Sequence, residues 1–213
     1  GQSEFLRAVY GSVPSDKGKI RYRGKDVAFR APKDAIRQGI GFISGDRHAE
    51  GIFPDRSIKE NIFAAQTALR NPVSVIHAKK QARGAEEVVE RLKVKIGSID
   101  HPASSLSGGN QQKLLFGRIF LFDLKLVLLD DPTKGVDISS RREIHQILRD
   151  LTKNGTSVLI SSSDHEELLE ISDRIVVFYE GKINAELTVD EHAEDAIVSA
   201  MLGVSDDRKE ARV

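Results

Sequence analysis

Two short stretches of this sequence concentrate residues able to act on an anion. Leu106 to Lys113 reads LSGGNQQK, and Leu126 to Pro132 reads LVLLDDP. In the first, Ser107 can cap a helix while Gly108 and Gly109 leave backbone N–H groups uncovered at its positive end. Such an end suits a phosphate. In the second, an aliphatic run stops abruptly at two carboxylates, Asp130 and Asp131. An apolar run of that length predicts a buried strand. Carboxylates at its end can serve a hard metal ion or polarise water.

The surrounding elements must bring these groups together. GQSEFLRAVYG predicts a helix ending at Gly11, and GKIRYRGKDVAF a hairpin about Arg23-Gly24-Lys25. Pro32 sits where a helix accepts it, and DAIRQ leads to a terminating Gly39. IGFIS reads as a short buried strand, followed by a loop rich in Gly, Pro and charge, GDRHAEGIFPD. Ser57 and Glu60 form an S-x-x-E capping box ahead of SIKENIF. Residues 64 to 104 are more polar and helical, with Ala85, Val88, Val89 and Leu92 on one face. From 115 onward helix and strand alternate again. LVLLD and TSVLIS are strands, ISSRREIHQILRDLTKNG and DHEELLEI helices. RIVVFYEGKINAEL is a hairpin turning at Glu180-Gly181, with a helix over about 190–202 and a frayed tail beyond. Strands alternating with helices predict an α/β fold: a parallel sheet flanked by helices, with antiparallel hairpins and an inserted helical segment.

Composition narrows the function classes. The 213 residues carry 32 basic and 32 acidic side chains, so no global field attracts nucleic acid or acidic lipid. No cysteine is present, which excludes disulfides. The most apolar stretch, IFLFDLKLVLL, is too short and too charged to span a bilayer. The six histidines show no metal-ligand spacing, and His165 reads as surface.

Taken with this order of elements, the two motifs resemble those of the ATP-binding cassette ATPases. LSGGNQQK looks like their signature motif, its NQQK ending like that of ribose-type sugar importers. LVLLDDP looks like a Walker B strand, and Gly135-Val136-Asp137 like the D-loop. RAPKDAIRQGIGFI and SDRIVVFYEGKI also look like segments of the second cassette of such importers. The resemblance covers nearly the whole chain. It implies a P-loop NTPase-type sheet, ATP and Mg²⁺ as ligands, and one nucleotide-binding domain over 1–213 with a helical subdomain inserted at 64–104.

The same resemblance marks departures. A complete phosphate loop, G-x-x-x-x-G-K-[ST], does not occur. Gly1-Gln2-Ser3 aligns with its last three places, so Gln2 replaces the lysine and Ser3 keeps the metal-binding hydroxyl, with Asp130 as its partner at Mg²⁺. Gly45 stands where the family places a glutamine, and Ser162 where it places a histidine. Asp131 stands where it places a glutamate; being one methylene shorter, its carboxylate is set back by about 1.5 Å. A misplacement of about 1 Å can cost about 10²-fold in rate. Gly1, Gln2, Ser3, Gly45, Asp130 and Asp137 are thus the implied nucleotide contacts, Asp131 and Ser162 the weakened catalytic positions. Ser107, Gly108, Gly109, Asn110 and Gln111 would serve a partner cassette's ATP.

The expectation is an N-terminally truncated second cassette of a sugar importer, peripheral to the cytoplasmic face of the membrane. Its partners would be another cassette, membrane permease subunits and, indirectly, a periplasmic sugar-binding protein, with no nucleic acid. The alternatives are a self-sufficient homodimeric ATPase, a non-hydrolytic interaction module, and a cassette protein of DNA repair or translation. The last usually carries coiled-coil or basic extensions, and none is visible.

Overall fold

The structure, a computed structural model, describes residues 1–70, 77–190 and 193–204. Helix α1 spans Gln2–Tyr10 and closes on Gly11 in the left-handed conformation, φ 76°, whose N–H reaches Ala8 O. Strands β1 (Ile20–Tyr22) and β2 (Lys25–Val27) form the first hairpin. Pro32 opens α2, Pro32–Arg37, and β3 follows at Ile40–Ile43. Helix α3, Ile58–Ala68, begins with the reciprocal capping box of Ser57 and Glu60. Helix α4 is Ala78–Arg91 and α5 is Gly108–Ile119. Then come β4 (Leu126–Asp130), α6 (Ile138–Lys153), β5 (Ser157–Ser161) and α7 (His165–Ile171). The second hairpin, β6 (Arg174–Tyr179) and β7 (Lys182–Thr188), precedes α8, Ala193–Met201. Both hairpins turn on a pair with positive φ, Arg23-Gly24 and Glu180-Gly181, the geometry that matches strand twist.

The site rests on the parallel sheet β3-β4-β5, in which Ile43 lies beside Leu129 and Asp130 beside Ser161. Strand β4 is central and buried on both faces, as its unbroken aliphatic run requires. Its alternate residues serve two cores. Leu128 packs with Leu6, Tyr10, Ala35 and Ile40 under α1 and α2. Val127 and Leu129 face the larger cluster, which runs through Phe116 and Leu114 of α5 to Ile62 and Phe63 of α3 and to Ala85 and Val88 of α4. The helices of the 64–104 region therefore share the core of the sheet. A third cluster joins Ile175 and Val177 of β6 to Ala193, Ile197 and Ala200 of α8.

Two sequence expectations are refined. The loop after β3 contains a helical turn, Arg47–Gly51, capped by Asp46, whose Oδ1 accepts from the N–H groups of His48 and Ala49. Helix α3 starts at Ile58, directly after the Ser57–Glu60 box, as the sequence reading expects. His165 opens α7 and is partly buried rather than surface. The middle of the 64–104 region (71–76), His192 and the tail from 205 lie outside the described residues.

Candidate functional site

Ligands of open parallel sheets lie beyond the carboxyl ends of the strands. At that end of β4, Asp130 Oδ1 accepts a hydrogen bond of 2.8 Å from Ser3 Oγ, joining residues 127 positions apart. Gly1 is the N-cap of α1, and Gln2 is exposed on its first turn. The structure thus brings Gly1, Gln2, Ser3 and Asp130 to one place. Gly45 joins them from β3: a Cβ there would lie 2.9 Å from Asp130 O and 3.3 Å from Asp131 Cβ. The position lacks not only a glutamine but the room for one.

The Asp131 carboxylate is engaged by the segment that follows β5. Asp131 has a φ of 43°, a left-handed conformation that Asp tolerates better than most residues. Its N–H donates to Ser161 O, and its Oδ1 accepts from both Ser163 N–H (2.7 Å) and Ser163 Oγ (3.1 Å). Ser162 is likewise spent inward, donating to Glu167 Oε2 at 2.6 Å. Glu167 is buried, and its other oxygen lies 2.8 Å from Nε2 of buried His145. Sequence reasoning missed both partners of these groups.

The signature residues form a second, separate cluster. Ser107 is exposed at the N-cap of α5, yet its hydroxyl caps no backbone N–H; it accepts from Asn110 Nδ2 at 2.9 Å. The hydroxyl that the sequence assigned to capping is held by a side chain, leaving the first turn's N–H groups uncovered by it. Asn110 Oδ1 accepts from Lys95 N–H, and Gln111 Nε2 donates to Leu106 O at 3.2 Å, so both amides brace the turn from behind. Lys113, ending the string, is buried and bonds Lys93 O and Glu143. Gly109 has no space for a side chain, because a Cβ would run into Ser140 of α6. Asp137 belongs to this cluster and not with Ser3 and Asp130: it caps α6 through Ser140 N–H and Oγ, 2.9 and 2.8 Å, beside Gly109. The Ser140 backbone N–H holds its carboxyl below the ordinary range.

The loop after β3 ties to α1 through Glu50, which accepts from Arg7 Nη2 and Ser44 Oγ, each at 2.7 Å. These bonds hold the Glu50 carboxyl below its ordinary 4.5, Arg7 contributing most. A depressed carboxyl contributes stability that is fully present above its unfolded pKa and is lost as pH falls from there through the lower folded pKa. Asp164 acts in the same direction, held low first by the Glu167 N–H. The melting temperature is therefore expected to decline as pH drops from about 5 to about 3. Glu50→Gln should lower it at neutral pH and flatten the upper part of the decline. An acid melt series unchanged by Glu50→Gln would refute that assignment.

With the geometry in place, the class is defined. A family profile described as ABC transporter matches residues 1–134, and the chain belongs to that family. Among curated relatives, it is 37% identical over 203 residues to the ribose import ATP-binding protein RbsA of Bacillus licheniformis, covering 95% of this chain and 41% of that protein. It is 39% identical to the protein of the same name from Chelativorans sp., covering 96% of this chain and 40% of that one. The chain thus spans about two fifths of the length of the relatives it matches. A nucleotide-free ATP-binding cassette from an ABC transporter superposes with a TM-score of 0.79 at 21% identity, over 99% of this chain and 82% of that one. A dimeric cassette bound to ADP and phosphate gives 0.74 at 19% identity, over 89% and 81%. These establish the shared fold. Among the described residues, no helix is long and apolar enough to cross a membrane.

Proposed function

We propose that this chain is a nucleotide-binding domain that lends its signature helix to a partner cassette and contributes little hydrolysis at its own ATP position. One contrast carries the reading. The Asp131 carboxylate is consumed by Ser163, whereas Ser107 stands exposed at the open end of α5 with its hydroxyl fixed by Asn110. Preorganised donors at a helix N-terminus stabilise phosphoryl charge as it develops. A carboxylate already bonded to two donors is a poor base for water.

On this reading the chain is one domain with its helical segment inserted near 64–104, and it works within a complete ATP hydrolase that drives monosaccharide uptake. The ribose import names of its relatives support the substrate class. Their greater length supports a second cassette in the same polypeptide. Membrane permease subunits would meet the loop at 45–56 and the helical segment, with a periplasmic sugar-binding protein acting through them. That places the domain peripherally on the cytoplasmic face. At its own position, Ser3 Oγ and the Asp130 carboxylate form an oxygen pair of the type Mg²⁺ takes. Those two side chains are the ones that would hold the ion. Mg²⁺ bound there would neutralise phosphate charge that Gln2 cannot offset.

The test is Asp131→Asn in the complete transporter. Steady-state ATP turnover should remain within about threefold of the parent, because the substitution alters a position carrying little of the flux. A loss of tenfold or more, with an unchanged melt, would mean that this domain hydrolyses ATP itself.

A further inference from the structure

One charged side chain beside the signature helix belongs to neither set of expected contacts. Arg47, in the turn after β3, reaches across the fold to donate from Nη1 to Lys134 O at 2.8 Å and from Nη2 to Gly135 O at 3.2 Å. Its guanidinium lies against Gly108: a Cβ on that glycine would fall 2.8 Å from Nη2. A Cβ on Gly135 would stand 3.5 Å from Nη1. Gly108 therefore makes the space that the guanidinium occupies, and Gly135, in the turn leading to Asp137, packs against it at ordinary contact distance.

The side chain is not required to hold its own loop. Asp46 caps the turn, and Glu50 anchors it to Arg7 and Ser44. Nor is the arrangement favourable for stability alone. The guanidinium stands near the positive end of a 12-residue helix, where a cation is disfavoured. No carboxylate among the described residues forms an ion pair with it, and its Nε is buried without a hydrogen-bond partner. An arrangement that costs stability yet fixes two loops against each other points to a use elsewhere.

We infer that Arg47 is a positioning residue for hydrolysis at the partner cassette's nucleotide. It locks the Lys134–Gly135 turn against Gly108 and so sets the pose of the α5 N-terminus and of Asp137. The inference rests on the reading that this helix is lent to a partner. Removing the lock leaves the donors present but loosely placed, which lowers turnover more than affinity.

The experiment measures kcat and KM for ATP in the complete transporter. Arg47→Met, which keeps the stem, should lower kcat about tenfold while KM stays within about twofold. Arg47→Lys, which retains the charge and one donor, should recover part of the loss. Gly108→Ala should reproduce the loss, because its methyl evicts the guanidinium. The double variant Arg47→Met with Gly108→Ala should be no worse than the worse single, since both act through one contact. Losses that multiply would overturn the inference. So would parental kcat in Arg47→Met when Ser107→Arg is inactive, and that result would leave the lent-helix reading standing. Parental kcat in Ser107→Arg would overturn both. Should Arg47→Met fail to fold, Arg47→Lys and Gly108→Ala decide: parental kcat in both overturns the inference.

Discussion

Ser107→Arg is expected to reduce ATP hydrolysis by the complete transporter about 10²–10³-fold, the usual cost of removing a donor aimed at developing charge. The hydroxyl is exposed and oriented by Asn110, and the first turn of α5 lies open beside it. An arginine there displaces the hydroxyl, breaks the Asn110 bond and, on the proposed lent-helix reading, would sterically block the approach of a partner's phosphate. Because Ser107 makes no backbone cap, the melting temperature should stay close to the parent's. Phosphate release measured alongside a thermal melt separates the two effects. Parental turnover in a well-folded variant would remove the signature helix from the mechanism.

The second large effect concerns folding. Glu167 links Ser162 at the end of β5 to His145 on α6, and both acidic and imidazole side chains are buried. Glu167→Ala would strand the buried His145 imidazole, remove the half-buried Ser162 hydroxyl's acceptor and open a void. Breaking a buried polar pair from one side costs about 3 kcal/mol. For a domain of this size that corresponds to a fall in melting temperature of about 6–12 °C. Glu167→Gln, of the same shape, can still accept from Ser162 and donate to an imidazole nitrogen, so its fall should be less than half as large. Equal falls for the two substitutions, read by calorimetry, would show that loss of the carboxylate itself dominates and that neither the void nor the bonds an amide can replace matter.

Much of the architecture was legible because it is written in local chemistry. Gly11, the Ser57–Glu60 box, Pro32 and the two turn pairs each act within a few residues of themselves. The aliphatic run of β4 announced a buried strand, and Ser3 and Asp130, expected to share a metal, were found hydrogen-bonded. What stayed hidden depends on groups distant in sequence. Nothing in the residues near Asp131 points to Ser163, 32 positions on, and serine carries no spacing signal of its own. The turn at Arg47–Gly51 was masked by its loop-like composition, although Asp46 ahead of it is an ordinary capping residue. A trace of the α6–α7 contact was present. Arg141, His145 and Arg149 recur every fourth residue and meet Asp164, Glu167 and Glu170. Read as a helix stripe facing an acidic helix, that spacing predicts the pairing.

The two-sided burial of β4 has a consequence for how the chain assembles. Most strands are kept from sliding by alternation, since a shift of one residue would turn polar groups inward. In β4 both faces are aliphatic, and Leu126 to Leu129 offer no such resistance. The restraint falls on the strand's end. Sliding β4 by one residue toward its start would draw the Asp130 carboxylate into a greasy interior and pull it from Ser3, while the Asp131 N–H would leave Ser161 O. Burying an unpaired carboxylate is among the costliest errors a sheet can make. Asp130 thus acts as the stop that seats the middle strand in its register.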